Sequence, residues 1–259
     1  MQPSYQSGFY APGRGVAKHP ELWRGCVGAW NPGLGNTGLV LRDWSGNQNN
    51  GTLIGGPTWG VSDGRQALSF DGVNDYVAAK TLQPLTKSEG LTLSVWTKIR
   101  TLPGKGVLIK CGSGFSNGYG LGYGAVNNAD SSGSTLNFLF DGVAWATCSF
   151  TFTVNTLTHT VLTVKGNTAK AYVDGQLVET DSARTLKDPS SRDLYIGGYV
   201  TNPSYPRYLD GNVSDTTAFN RALSPNEIRL LAQRPGIAYE LAPRKTYFIQ
   251  AATSTSQFY

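Results

Sequence analysis

Residues 91–99, LTLSVWTKI, carry the alternation that decides the fold class. Leu93 and Val95 share one side of this stretch, whereas Thr92 and Ser94 fall on the other. Successive side chains of a strand point to opposite faces, so a period of two predicts a β-strand with one buried and one more polar face. The chain is therefore expected to be built from strands.

The same alternation recurs at 135–142 and at 158–166, and tight turns follow the second of these stretches. Asp174-Gly175 separates AKAYV from QLVE, and an Asp-Gly pair favours a two-residue hairpin turn. Residues 158–179 are therefore predicted to form an antiparallel meander.

Composition agrees with a β-rich chain that has a single helix. The 259 residues include 32 glycines and 13 prolines, which suits many short strands joined by turns, and only 15% are charged. Ser224, Pro225 and Glu227 form the sequence pattern of a capping box with proline in the first turn. We predict one helix over residues 225–233, with all other regular structure β.

The chain is predicted to divide into an extended N-terminal arm (1–23), a sandwich domain (24–234) and an extended C-terminal tail (235–259). The arms contain several aromatic residues, which disordered linkers usually lack. Two interpretations stay open: the arms order on a partner, or they wrap their own sandwich. The first residues lack the apolar run of a signal peptide, and no stretch is long and apolar enough to span a membrane.

Five motifs in order carry a resemblance to a known family. They are DWSGN with GTL (43–53), ALSFDGVNDYV (67–77), LTLSVW (91–96), AYVDG (171–175) and LDGNVSD with FNRALS (209–224). Together they resemble the laminin-G-like, concanavalin A-like lectin/glucanase domains. The resemblance implies an all-β, two-sheet antiparallel jelly-roll sandwich of the concanavalin A type, with one short C-terminal helix and extended terminal arms.

Such folds host glycan binding, protein binding and some hydrolases, so the fold alone does not give the function. The tail segment PGIAYELAPR (235–244) resembles tailed-phage proteins. We therefore expect a non-catalytic virion surface protein, of the decoration, capsid or tail-associated kind, that binds glycans. It would dock on other virion proteins or sister subunits through its arms. The alternative is a free calcium-dependent lectin of the extracellular space.

Enzymatic chemistry finds little support in the sequence. The hydrolases of this superfamily carry E-x-D-x-x-E on a strand, and none of the five glutamates has an acidic partner at that spacing. The two histidines, His19 and His159, offer no nucleophile–base pair, and His159 is interpreted as a packing residue. A glycoside hydrolase that uses aspartates is the less favoured reading, and the chain is expected not to be an enzyme.

Aromatic residues suggest where a glycan would bind. The candidate ligand-binding residues share a place in or beside glycine-rich or late-strand loops, or on a strand face: Trp96, Tyr119, Tyr123, Trp145, Tyr205 and Arg207. For each aromatic residue the alternative is ordinary packing. The net charge of +5 is spread along the chain, which predicts no nucleic-acid groove.

Calcium is the expected cofactor, in a structural role, because many related domains bind it through oxygen ligands. The resemblance places the entry strand beside a late strand, which would bring Asp43 near Asp215, with Asn47 and Asp75 as further ligands. The alternative for each aspartate is turn chemistry, in which its side chain bonds the nearby backbone. The three cysteines are expected to be buried small residues.

Overall fold

The computed structural model describes residues 10–11, 15–81, 85–112, 118–124, 133–139, 145–183, 185–189, 191–199 and 207–243. The strands are, in chain order, β1 (Tyr10–Ala11), β2 (Gly15–Val16), β3 (Cys26–Trp30), β4 (Val40–Leu41), β5 (Gly51–Ile54), β6 (Thr58–Ser62), β7 (Arg65–Asp71), β8 (Tyr76–Lys80), β9 (Leu91–Ile99), β10 (Gly106–Cys111), β11 (Tyr119–Tyr123), β12 (Thr135–Leu139), β13 (Trp145–Thr151), β14 (Leu157–Lys165), β15 (Thr168–Val173), β16 (Gln176–Asp181), β17 (Asp193–Ile196), β18 (Gly198–Tyr199), β19 (Arg207–Tyr208) and β20 (Asp210–Phe219). Helix α1 spans Pro225–Leu231, and short 3-10 turns span Pro20–Trp23, Pro32–Leu34 and Ile237–Tyr239.

Most strands belong to two antiparallel sheets that pack face to face. Sheet A has the order β16-β15-β14-β9-β20-β7-β6, and β3 also pairs with β20. Sheet B has the order β13-β12-β11-β10-β17-β8-β5-β4. The large side chains fully buried in the core include Trp30, Phe70, Tyr119, Tyr123 and Phe138. The predicted two-sheet sandwich is confirmed.

The local predictions from turn and cap residues are also confirmed. Strands β14, β15 and β16 form the expected meander, and Asp174 and Gly175 both have positive φ, as a primed hairpin turn requires. Helix α1 begins with the complete capping box, in which Ser224 and Glu227 satisfy each other's backbone N–H groups, and it ends two residues before the predicted position. The three cysteines are buried and unpaired.

Strand β9 departs from its prediction because both of its faces are buried. The core covers Leu93 and Val95, while Thr92, Ser94 and Trp96 are buried on the opposite face as well. That outer face of sheet A lies under a second apolar cluster. The members of the cluster include Leu22, Trp23, Phe219, Leu223, Ile228, Leu231, Ile237 and Tyr239, which come from the two arms, β20 and the region of α1.

The inner parts of both arms fold onto the sandwich. Lys18 donates its backbone N–H to the Glu240 carbonyl at 2.7 Å, and the Trp23 indole donates to the Ala238 carbonyl at 2.8 Å. Residues 15–23 and 235–243 therefore lie alongside each other and pack on sheet A, instead of extending away from it. The remaining parts of the predicted arms lie outside the described residues, apart from the short pair β1–β2.

Asp215 fastens the C-terminal segment to sheet A from a buried position. Its Oδ2 accepts a hydrogen bond from the Gly236 backbone at 2.8 Å, while its Oδ1 is buried without a partner among the described residues. Burial, which disfavours the charged form, raises the pKa of Asp215 to about 7. The folded protein therefore holds this proton at pH values where an unfolded chain, with its ordinary value of 3.8, has lost it.

Asp215 makes the free energy of unfolding fall as the pH rises from about 4 to about 7, because its proton is lost from the unfolded state first, whereas His159, whose pKa burial lowers to about 3, makes it rise over part of this interval. Asp215→Asn keeps an acceptor for Gly236, carries no charge and leaves His159 in place, so the Tm of the variant should rise relative to that of the wild type between about pH 4 and about pH 7. Glu89→Gln, which removes an exposed carboxylate, serves as the control. Identical Tm profiles for wild type and Asp215→Asn would contradict a buried, protonated carboxyl.

Candidate functional site

The outer face of sheet B, on the strands β5, β8 and β17, is open to solvent. In β8, Val77 and Ala79 are buried toward the core, and Lys80 is exposed. In β17, Leu194 points into the core, and Tyr195 lies half-buried on the opposite face. The alternation of these strands thus presents polar and aromatic side chains together on one surface.

This surface contains a groove of about 570 Å³, named here the sheet groove. The residues that line it share positions on β5, β8, β17 or the loop before β5: Gln48, Asn49, Asn50, Thr52, Ile54, Ala78, Ala79, Lys80, Asp193 and Tyr195. The volume lies within the range of small-molecule sites in proteins, about 300–1,000 Å³.

The sheet groove combines one aromatic face with hydrogen-bonding groups of both kinds. Lys80 and Asp193 are directly opposite in the antiparallel pair of β8 and β17, so a donor and an acceptor stand side by side. Exposed Thr52 and Asn50 add a hydroxyl and an amide. Burial, the charge of Asp193 and neighbouring tyrosines raise the pKa of Tyr195 to about 12, so its hydroxyl stays protonated.

A tyrosine cluster, comprising Tyr76, Tyr195, Tyr199 and Tyr208, borders the sheet groove. The ring centroids of Tyr195 and Tyr199 are 4.9 Å apart at an edge-to-face angle, and those of Tyr76 and Tyr208 are 6.4 Å apart and stacked. The Lys110 ammonium lies 4.3 Å from the centre of the Tyr199 ring, and burial lowers the pKa of Lys110 to about 8. The cluster contacts the side of the Tyr195 ring that faces away from the sheet groove and so fixes the orientation of the ring.

Residues 43–50 form a loop, named here the 43–50 loop, that Asp43 organises from its centre. Asp43 Oδ1 accepts hydrogen bonds from the backbone of Ala29 (2.9 Å) and of Ser45 (2.8 Å). Asp43 Oδ2 accepts from the Ser45 hydroxyl (2.8 Å) and from the Asn49 backbone (2.9 Å). Four donors therefore occupy the two carboxylate oxygens. The bond from Ala29 connects the loop to β3, and the other three hold the loop itself together.

A second cavity, of about 740 Å³ and named here the loop cavity, lies on the other side of this loop. Its lining residues come from the chain between 37 and 50: Thr37, Val40, Arg42, Asp43, Trp44, Gly46, Gln48 and Asn50. The Arg42 guanidinium stacks on the Trp44 ring, 4.3 Å from its centre. Gln48 and Asn50 line both cavities.

Three of the predicted ligand-binding aromatics are packing residues in the structure. Trp96 is buried under α1, where its indole donates to the Leu231 carbonyl at 3.2 Å. Tyr119 and Tyr123 are fully buried in the core, because β11 directs them inward and places its glycines on the outer face. None of the three presents a ring to a ligand, which corrects the prediction from loop proximity.

Of the other three predicted positions, Trp145 and Arg207 belong to described strands. Trp145 begins β13, opposite Leu139 of β12. Arg207 is buried in β19, where it pairs in register with Tyr199 of the tyrosine cluster. Tyr205 lies outside the described residues, so its prediction stays untested.

The structure brings Asp43 and Asp215 into one neighbourhood, as the predicted calcium site requires. Trp30 of β3 forms a bridge with Asp43 and pairs with Thr216, the residue that follows Asp215 in β20. Within the described residues, however, no group of three or more His, Cys, Asp or Glu side chains is placed to hold a metal. The calcium site stays a prediction.

Asn47 and Asp75, the other predicted calcium ligands, take part in turn chemistry. The Asn47 amide donates to the Cys26 carbonyl at 3.1 Å. Asp75 Oδ2 accepts the Asp71 backbone N–H at 3.0 Å, across the turn from β7 to β8. Burial raises the pKa of Asp75.

His159 has the surroundings of a packing residue, as the sequence predicts. It is fully buried, its ring stacks on Trp96 with centroids 4.9 Å apart, and its Nε2 lies 2.8 Å from the Ser94 hydroxyl. Burial lowers the pKa of His159 to about 3, so the ring is neutral at physiological pH. This serine–histidine pair has no access to a substrate.

Sequence reasoning missed the residues that line the two cavities, above all Tyr195, Lys80, Asp193, Arg42 and Trp44. One signal was available: in DLYI (193–196), Leu194 and Ile196 alternate with Asp193 and Tyr195. This alternation predicts an outward-facing aromatic beside a carboxylate on a strand. The strands that lie next to β17 depend on the order of strands in sheet B, which the sequence does not reveal.

Comparison with protein families identifies the class to which this architecture belongs. The family model of the concanavalin A-like lectin/glucanases superfamily matches residues 71–229. The chain belongs to this superfamily. A search of curated proteins found no match.

Solved structures with the same fold include proteins of different activities. Trypanosoma rangeli sialidase in complex with sialic acid matches with a TM-score of 0.62 and 21% identity, over 81% of this chain and 33% of the sialidase. The receptor binding domain of botulinum neurotoxin C/D mosaic serotype matches with a TM-score of 0.62 and 13% identity, over 82% of this chain and 51% of that domain. The chain thus spans about a third to a half of these proteins, and the likeness is one of fold. Among the described residues, no helix is long and apolar enough to cross a membrane.

Proposed function

We propose that this chain is a non-catalytic, carbohydrate-binding β-sandwich whose ligand lies in the sheet groove on the outer face of sheet B. The observation that carries the proposal is the lining of the groove, in which the Tyr195 ring stands beside Lys80, Asp193 and exposed amides. An aromatic face suits the apolar side of a sugar ring, and adjacent donors and acceptors suit its hydroxyl groups. The structural neighbours include a sialidase solved with sialic acid, in agreement with this class of ligand.

The arrangement of carboxylates favours binding over hydrolysis. Glycoside hydrolysis in most families uses two carboxyl groups about 5–9.5 Å apart on either side of the bond. Among the described residues that line the sheet groove, Asp193 is the only carboxylate. Asp43 lines the adjacent cavity, and its oxygens already accept four hydrogen bonds. Neither group therefore has a free partner for acid–base chemistry.

We expect Tyr195→Ala to weaken binding of glycans by about tenfold or more, because it removes the aromatic face of the groove. A glycan array identifies the saccharides bound by the wild type, and calorimetry then compares their affinities for the variant. Phe150→Ala, which removes a half-buried aromatic residue from β13, is the matched control.

Equal affinities of wild type and Tyr195→Ala would overturn the location of the site. Chromatography of the bound saccharide after long incubation tests the absence of catalysis. Release of shorter sugars, lost on Asp193→Asn, would establish the alternative of a glycoside hydrolase.

The virion-surface role that the sequence suggests remains a prediction. Residues 15–23 and 235–243 of the arms pack on the sandwich itself. Docking on a partner would therefore depend largely on the parts of the arms outside the described residues. Co-purification of the full chain with assembled particles tests this role. Recovery only as a free protein would favour the free lectin.

A further inference from the structure

The sheet groove and the loop cavity adjoin each other on one surface. Gln48 and Asn50 line both, and Val40 of the loop cavity is directly opposite Thr52 of the sheet groove in the pairing of β4 and β5. Gln48 and Asn50 are exposed and form a polar ridge between the two cavities. A ligand that leaves one cavity over this ridge enters the other.

Each cavity contains one flat contact surface, named here a platform. The sheet groove has Tyr195, and the loop cavity has Trp44, on which the Arg42 guanidinium stacks. Arg42 is exposed, and no described residue accepts a hydrogen bond from its guanidinium. Stacking fixes the plane of the guanidinium while its N–H groups stay available at the edge, which suits recognition of hydroxyl or ring oxygens.

The ridge between the platforms is held in place before a ligand arrives. Asp43 fixes the loop through four hydrogen bonds, and the Trp30 indole donates to the Asn49 carbonyl at 2.9 Å. Gln48 adopts a positive φ of 60°, which is uncommon for a residue with a side chain. Since side chains of a preformed surface lose little freedom on binding, this rigidity favours a binding role for the ridge.

We propose that the two cavities form one extended surface that binds an oligosaccharide chain, with Tyr195 and the stacked Arg42–Trp44 pair as platforms for different sugar units and Gln48 and Asn50 between them. The inference rests on the proposed function, and it adds that the ligand is a chain of linked sugars instead of a single sugar. Since the two platforms line different cavities with Gln48 and Asn50 between them, a single sugar ring would contact only one of them.

The test measures affinity against chain length. The probes are gluco-, xylo- and N-acetylglucosamine oligosaccharides, each from the single sugar to the hexamer, together with the length series of any saccharide found on the array. For the preferred series, affinity should rise by about tenfold or more from single sugar to tetramer, since a second platform then takes part. Arg42→Ala should remove most of this gain, so that the variant binds the tetramer little more tightly than the single sugar.

Arg24→Ala, at an exposed arginine that lines neither cavity, is the matched control and should keep the full gain. Trp44→Phe, which retains an aromatic ring, should lose less of the gain than Arg42→Ala. If single sugars bind as tightly as hexamers, or if Arg42→Ala keeps the full gain, the extended surface is refuted while the sheet groove stands. If no saccharide of any length binds the wild type, the proposed function itself fails.

Discussion

We expect Trp30→Ala to lower the free energy of unfolding by about 4 kcal/mol, a large part of the roughly 5–15 kcal/mol typical of a folded domain. Trp30 is fully buried in the core, and its ring packs so closely on β3 that a Cβ added to Gly28 would lie 2.1 Å from it. The indole also donates to the Asn49 carbonyl, which ties the 43–50 loop to the core. The substitution therefore creates a cavity and removes an anchor of the ridge.

Denaturant unfolding measures this loss of stability. Trp30→Phe, which retains an aromatic ring in the core, is the second and milder variant. That milder change should cost about 1–2 kcal/mol, mainly through the lost hydrogen bond and the smaller ring. Trp59→Ala is the control, because Trp59 is only partly buried at the edge of sheet A. An effect of Trp30→Ala no larger than that of Trp59→Ala would contradict the central position of Trp30.

Asp43→Ala should cost about 3 kcal/mol, because it leaves the backbone N–H groups of Ala29, Ser45 and Asn49 without their acceptor. The same change should release the 43–50 loop and weaken glycan binding, although Asp43 itself need not touch the ligand. Asp43 is thus a positioning residue for Gln48 and Asn50.

Thermal unfolding and binding, measured on the same samples, test this role. Asp43→Asn retains one acceptor oxygen and should fall between wild type and Asp43→Ala in both measurements. Glu89→Ala, at an exposed site, should stay within about 0.5 kcal/mol of the wild type. Added calcium tests the metal site predicted from the sequence on the same samples. A rise in the Tm of the wild type that Asp43→Ala abolishes would establish that site, and an unchanged Tm would count against it.

Local chemistry explains why much of the fold could be predicted. The alternation in β9, the Asp174-Gly175 turn and the capping box at Ser224 each depend on a few neighbouring residues. These signals give element types and boundaries without knowledge of the rest of the chain. The ordered family motifs then implied a sandwich of two antiparallel sheets, which local patterns do not give.

Burial of an outer sheet face was not predictable in the same way. The sequence predicts a more polar outer face that carries Thr92, Ser94 and Trp96. In the structure, residues far away in the chain cover this face, among them Leu231 and Tyr239. Nothing in β9 encodes this cover. For the same reason the prediction of Trp96 as a ligand-binding residue is wrong, and of the two interpretations of the arms, packing on the sandwich holds for residues 15–23 and 235–243.

The candidate site depends even more on long-range pairing. Lys80 and Asp193 are far apart in sequence and become neighbours only through the pairing of β8 with β17. Aromatic residues near glycine-rich loops were a poor guide, because strand alternation directs Tyr119 and Tyr123 inward. The DWSGN motif marks Asp43, but the backbone groups that it binds, in β3 and in the 43–50 loop, are known only from the structure.

The most direct test of a carbohydrate site on the outer face of sheet B is a crystal structure with the tightest-binding oligosaccharide. We expect intact saccharide density over Tyr195, crossing Gln48 and Asn50 toward Trp44. Saccharide bound at another face of the sandwich, with the sheet groove empty, would contradict the account.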